Sequence, residues 1–166
     1  MSGASGEGVE GRLAALGIAL PEVAAPVAAY VPAVVSGSHV YTSGQLPFVN
    51  GALPAAGKVG DDAEGDSSGL VSPADAQHYA RVAVLNALAA ARSVIGSLDR
   101  VTRVVKVTGF VASAPGFTGQ PGVINGASNV LGEIFGESGA HARSAVGVAV
   151  LPLDSPVEVE LILEFA

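Results

Sequence analysis

From Val157 to Phe165 the chain alternates: Val157, Val159, Leu161, Leu163 and Phe165 fall on one side, and Glu158, Glu160 and Glu164 on the other. A period of two with one apolar face predicts a strand buried on one side. Upstream, Ala145 to Leu151 is almost wholly apolar, which predicts a second strand covered on both faces. Between them LPLDSP carries the turn formers Pro152, Asp154, Ser155 and Pro156. The two strands are therefore expected to form an antiparallel hairpin, with Arg143 opening the first of them.

The rest of the pattern reads as shorter elements. Val9, Leu13 and Leu16 recur at helical spacing before Gly17, and the proline-punctuated LPEVAAP connector follows. Ala29–Val35 and His39–Gln45 read as two short strands turning across Ser36, Gly37 and Ser38, and Asn50-Gly51 is a tight-turn signal. Residues 60–71 are small, acidic and without period, which predicts a mobile surface loop. Ser72, Pro73 and Asp75 form an N-cap, a first-position proline and a first-turn acid, so a helix runs from there to about Ile95, stopped by Gly96. Its stripe of Ala76, Ala80, Ala83, Ala87, Ala90 and Val94 allows close approach to a sheet. Val101–Ala112 is β-branched and reads as a strand. Val123–Phe135 reads as a second long helix, in which Gly126 and Gly132 each cost about 1 kcal/mol relative to Ala.

Helices between strand pairs define an α+β class: one mixed sheet with both long helices on one face, a short N-terminal helix beside it, and a single domain over 1–166 in which 1–25 are helix and connector. The other face of that sheet must meet something else.

Only 14% of residues are charged while 49% are hydrophobic, which leaves little to solvate a monomer and predicts an oligomer. A net charge of -7 with eight Lys and Arg offers no basic patch for a phosphate backbone, so nucleic acid is not the expected partner. The absence of cysteine excludes disulfides and thiolate chemistry. No signal-like or membrane-spanning run occurs in the sequence, so a cytoplasmic location and no membrane partner are expected. His39, His78 and His141 stand apart from each other and from carboxylates at ligand spacing, so no metal is expected, and the glycine stretches lack the phosphate-loop pattern.

Candidate chemistry gathers at the C-terminus. A guanidinium offers an anion two parallel donors, so Arg143 suits a small carboxylate. Glu158 could hold and deprotonate a water, whereas three carboxylates on one strand face could equally be solvated or paired with Arg103 and Lys106. In a hairpin turning near Leu153, about six residues, roughly 20 Å, separate Arg143 from Glu158. Either Arg143 answers Glu164 across that hairpin, or it meets Glu158 only where another subunit supplies one of the two.

Tyr30 in AAYVPAV, YTSGQLP from Tyr41 to Pro47, the capped helix ending before Gly96, and ARSAVGVAVLP followed by VEVE together resemble the RidA (YjgF-type) reactive-intermediate deaminase family, from about residue 25 to the end. The longer N-terminus is similar to a branch often labelled endoribonuclease L-PSP. The resemblance implies a chorismate-mutase-like α+β fold, a homotrimer with clefts between subunits, and cofactor-free hydrolysis of 2-imino or enamine acids to 2-oxo acids and ammonia. It implies Arg143 and Glu158 as catalytic residues, with Tyr30, Ser43, Gly44, Asn125, Ser144 and Ala145 lining the substrate site. Many relatives carry Cys or Thr where this chain has Ala145, so only its backbone N–H could serve. The branch label offers an endoribonuclease or translation inhibitor as an alternative, and a trimer that binds small carboxylates without turnover is another.

Overall fold

The computed structural model describes residues 8–23, 29–61 and 69–166. Its elements are helix α1 (Val9–Ala15), strands β1 (Ala33–Ser36) and β2 (His39–Thr42), helix α2 (Pro73–Ile95), strand β3 (Val101–Ala112), helix α3 (Gln120–Phe135), and strands β4 (Ala142–Val148) and β5 (Val157–Phe165). All five strands make one mixed sheet in the order β1-β2-β5-β3-β4.

Local chemistry explains the starts and stops. Ser72 Oγ accepts the Asp75 N–H at 3.1 Å and caps α2, as Ser72-Pro73-Asp75 predicts, and Gly96 ends the helix with φ +88. The alanine stripe is the buried face of α2, with Ala76, Ala80, Ala83, Ala87 and Ala90 wholly covered, while Val94 points outward at 43% exposure. Asn50 and Gly51 both take positive φ and join the Val49–Ala52 bridge, the two-residue turn expected there. The β1–β2 hairpin forms but is shorter than the sequence suggests, and Gln45 adds only a single bridge to Val159. α3 starts at Gln120, three residues ahead of its expected start. Gly126 lies where α3 crosses α2: a Cβ there would come within 1.8 Å of the Gln77 carbonyl oxygen. Both long helices pack on the same face of the sheet, over Val104, Val107, Val111, Val159, Leu161 and Leu163, all essentially buried.

The C-terminal hairpin does not form. β4 runs parallel to β3 along Lys106–Ala112, and β5 runs antiparallel to β3 on its other edge, so β3 separates the two strands expected to pair. The physical reason is the β3-α3-β4 crossover, which lays β4 beside β3 in the same direction and leaves the opposite edge of β3 for β5. The alternation in β5 identified a strand and its buried face, but a face pattern does not name a partner. β4 is also not covered on both faces. It is one of the two edge strands of the sheet, and in the single chain Ala142, Val146 and Gly147 are exposed. Of the loop over 60–71, the centre at 62–68 lies outside the described residues; at its flanks Val59 is buried and bridges both Val71 and Ser113.

Candidate functional site

The parallel register sets where Arg143 points. It pairs with Val107, a fully buried residue under the helices, so its side chain rises on the helix-covered face at the sheet edge. There Arg143 Nη1 donates to Asn125 Oδ1 at 2.8 Å and Ser128 Oγ at 3.2 Å, and Nη2 donates to the Pro121 carbonyl at 3.3 Å. All three acceptors belong to the first turns of α3. Ala145 lies on the same face, opposite Gly109, against which Ile124 of α3 packs closely.

Glu158 pairs with Phe110 and therefore points to the opposite, helix-free face. The same face carries Glu160 in register with Thr108, Ser144 also beside Thr108, and Lys106, whose Nζ donates to Ser144 Oγ at 3.2 Å. The Glu158 carboxylate leans over Gly44, where a Cβ would lie 1.8 Å from its Oε1. Burial pushes the Glu158 carboxyl above its ordinary value, and the neighbouring Glu160 charge adds to the effect. Ser43 is fixed beside this point, its Oγ donating to the Val31 carbonyl at 2.7 Å and its N–H to the Pro32 carbonyl at 2.8 Å. Tyr30 precedes Val31 and is 46% exposed.

The expected residues thus fall into two groups. Arg143, Asn125 and Ala145 share the helix side, while Glu158, Gly44, Ser43 and Ser144 belong to the other. The pairing of Arg143 with Glu164 does not occur: the Glu164 Oε2 accepts from Thr102 Oγ1 at 2.8 Å, and Arg143 is held by α3. Nor do Arg103 or Lys106 form ion pairs with the β5 carboxylates among the described residues, whose ion pairs are Arg81–Glu133 and Arg92–Glu10.

Two residues escaped the sequence reading. Ser128 Oγ lies 2.9 Å from His141 Nε2, and His141 Nδ1 lies 2.5 Å from the Gly139 carbonyl. His141 is therefore not the solitary side chain its sequence neighbours suggest. The signal was available in two spacings: Asn125 and Ser128 are three apart on a helix, His141 and Arg143 two apart in extended chain, and each spacing puts both residues on one face. Among the described residues no cluster of three His, Asp or Glu is placed to hold a metal ion, and no helix is long and apolar enough to cross a membrane.

Comparisons with known proteins agree with this architecture. Residues 10–165 match the family described as "YjgF/chorismate_mutase-like, putative endoribonuclease". Protein TCP17 of Trypanosoma cruzi is 43% identical over 159 residues, spanning 93% of this chain and 94% of that protein. The crystal structure of Atu1372 from Agrobacterium tumefaciens, a protein of unknown function, is 43% identical with a TM-score of 0.82, covering 95% of this chain and 92% of its own. Escherichia coli TdcF, solved with bound serine, is 27% identical with a TM-score of 0.60, covering 87% of this chain and 94% of its own.

Proposed function

The chain belongs to the YjgF/chorismate mutase-like family, and from that premise we propose that it is a hydrolytic deaminase of reactive 2-imino and enamine acids, acting at clefts between the subunits of a homotrimer. The observation that carries this reading is Glu158, a half-buried carboxylate made more basic by its burial and aimed away from the helices. A general base works best when its pKa lies closer to the working pH than an ordinary carboxylate's does.

In the reaction, Arg143 holds the substrate carboxylate through paired N–H donors. Glu158 takes a proton from a water whose oxygen bonds to the imine carbon, the C=N nitrogen is protonated, and the resulting carbinolamine loses ammonia as its hydroxyl becomes the carbonyl of the 2-oxo acid. Atoms balance with water alone, and no cofactor enters. Because Arg143 and Glu158 stand on opposite faces of one chain's sheet, one subunit supplies the anchor and its neighbour the base. Ser43 and Gly44 line the base's side, Tyr30 closes over it, Ser144 contributes a hydroxyl, and Ala145 offers only backbone.

The bound serine of TdcF supports a small amino-acid-like carboxylate as ligand. The same fact favours a second reading, a trimer that binds such carboxylates without turnover. An endoribonuclease fits less well, since the helix-free face presents Glu158, Glu160 and Glu164 to any phosphate backbone. The deciding experiment is ammonia release from an imino acid generated in place by an amino-acid oxidase. Wild type is expected to accelerate release and Arg143→Ala to lose the acceleration. A folded wild type without acceleration sinks the deaminase reading.

A further inference from the structure

A guanidinium has five N–H groups and no acceptor. Those of Arg143 are distributed unevenly: both on Nη1 go to Asn125 and Ser128, and one on Nη2 goes to the Pro121 carbonyl. Among the described residues that leaves the Nε–H and one Nη2–H for a ligand. Nε and Nη2 are adjacent nitrogens on one edge of the guanidinium, and that edge is the fork that matches a carboxylate.

The way Ser128 is held follows from the same one-sidedness. Arginine can only donate, so Ser128 Oγ must accept from it, and the serine's own proton must go elsewhere. Among the described residues the hydrogen-bond partner left for that proton is His141 Nε2 at 2.9 Å, a contact that fits the tautomer with its lone pair on Nε2. The ring proton then sits on Nδ1, where the Gly139 carbonyl receives it at 2.5 Å. The chain of donors has one direction, from Arg143 to Ser128, from Ser128 to His141, and from His141 to the backbone at Gly139. Without the acceptor at Nε2, the hydroxyl of a mid-helix serine turns to the carbonyl four residues back, which redirects its lone pairs.

We propose that Ser128 and His141 are positioning residues for Arg143, fixing the roll of its guanidinium so that the Nε edge faces the substrate carboxylate. The inference rests on the reading of Arg143 as the carboxylate anchor. Neither residue touches the reacting carbon, so their loss weakens binding far more than it slows chemistry.

Two measurements on the full chain test it. Long-range proton–nitrogen NMR of the His141 ring is expected to show a neutral imidazole protonated on Nδ1; a proton on Nε2 overturns the relay whatever the protein's activity. In the imino-acid assay, Ser128→Ala and His141→Ala are each expected to raise KM about tenfold and change kcat by less than about twofold, and the double variant to do no more than either alone. Fully multiplying effects, or a fall in kcat at constant KM, overturn the positioning role. Where wild type shows no turnover at all, the deaminase reading fails separately. The relay is then judged on calorimetric binding of serine, which both single variants must weaken by about the same tenfold factor; unchanged binding overturns it.

Discussion

Arg143 and Glu158 stand on opposite faces of one sheet with β3 between them, Arg143 in register with Val107 and Glu158 with Phe110. A side chain pinned by α3 on one face cannot reach a carboxylate on the other, so a site that uses both takes them from different copies. Arg143→Ala and Glu158→Ala chains, each inactive alone, are therefore expected to complement each other when refolded together. With random assembly in equal amounts, about a quarter of the clefts receive both intact residues, and specific activity should recover to about a quarter of wild type. No recovery in mixed oligomers, checked by mass spectrometry, would show that one chain supplies both groups.

Gly44 gives a test confined to Glu158. Its missing side chain is what makes room for the Glu158 carboxylate, since a Cβ there would lie 1.8 Å from Oε1 and 2.7 Å from the carboxyl carbon. The carboxylate is the flexible end of its side chain, so Gly44→Ala is expected to move it rather than disrupt the strand. The melting temperature should stay within a few degrees of wild type while kcat falls about tenfold or more, because a misplaced base loses much of its advantage. A variant with wild-type kcat would detach Glu158 from the chemistry.

Much of the fold was legible because it is written locally. Ser72, Pro73 and Asp75 cap a helix through contacts three residues apart, Asn50-Gly51 turns on its own φ angles, and the buried faces of α2 and β5 repeat at 3.6 and 2.0. Strand partnership is different. Leu151 to Pro156 suits a hairpin as well as the passage that carries the chain across β3, and only the β3-α3-β4 crossover, a non-local event, decides between them. The site divided in the same way. Arg143 and Glu158 stand out as residue types, but the faces they occupy follow from register against β3, and the Ser128–His141 contact joins α3 to a residue 13 positions on, just ahead of β4.

Gly126 separates helix propensity from helix packing. In an exposed helix interior Gly→Ala stabilises by roughly 1 kcal/mol, but here the new methyl would meet the Gln77 backbone carbonyl at 1.8 Å. A backbone atom within a helix cannot step aside as a side-chain tip does, so α2 and α3 must part. Overpacking of this kind costs on the order of 1–3 kcal/mol, and Gly126→Ala is expected to lower the melting temperature by several degrees. A rise in melting temperature would mean that the helices sit farther apart than the geometry at Gln77 requires.

Glu158→Gln makes opposite demands on activity and stability, and both signs follow from the raised carboxyl. Burial and the Glu160 charge lift its pKa on folding, so the folded chain holds that proton more tightly than the unfolded one. The contribution to stability is therefore complete below the ordinary carboxylate range and is lost as pH rises through the raised value. Glutamine is neutral throughout and escapes that loss. Glu158→Gln is expected to melt above wild type at about pH 7, with the difference closing as pH falls below the ordinary carboxylate range, to about pH 3, where both side chains are uncharged. Catalysis runs the other way, since a base must be deprotonated to work. Wild-type kcat should fall as pH drops through the raised value, at a higher pH than an ordinary glutamate would give, while Glu158→Gln loses turnover by about a hundredfold or more at every pH. Calorimetry at the two pH values and a pH–rate profile check the pair of signs; a variant that melts below wild type at neutral pH would mean that the carboxylate is held by a partner charge, and a flat acid limb would remove Glu158 as the base.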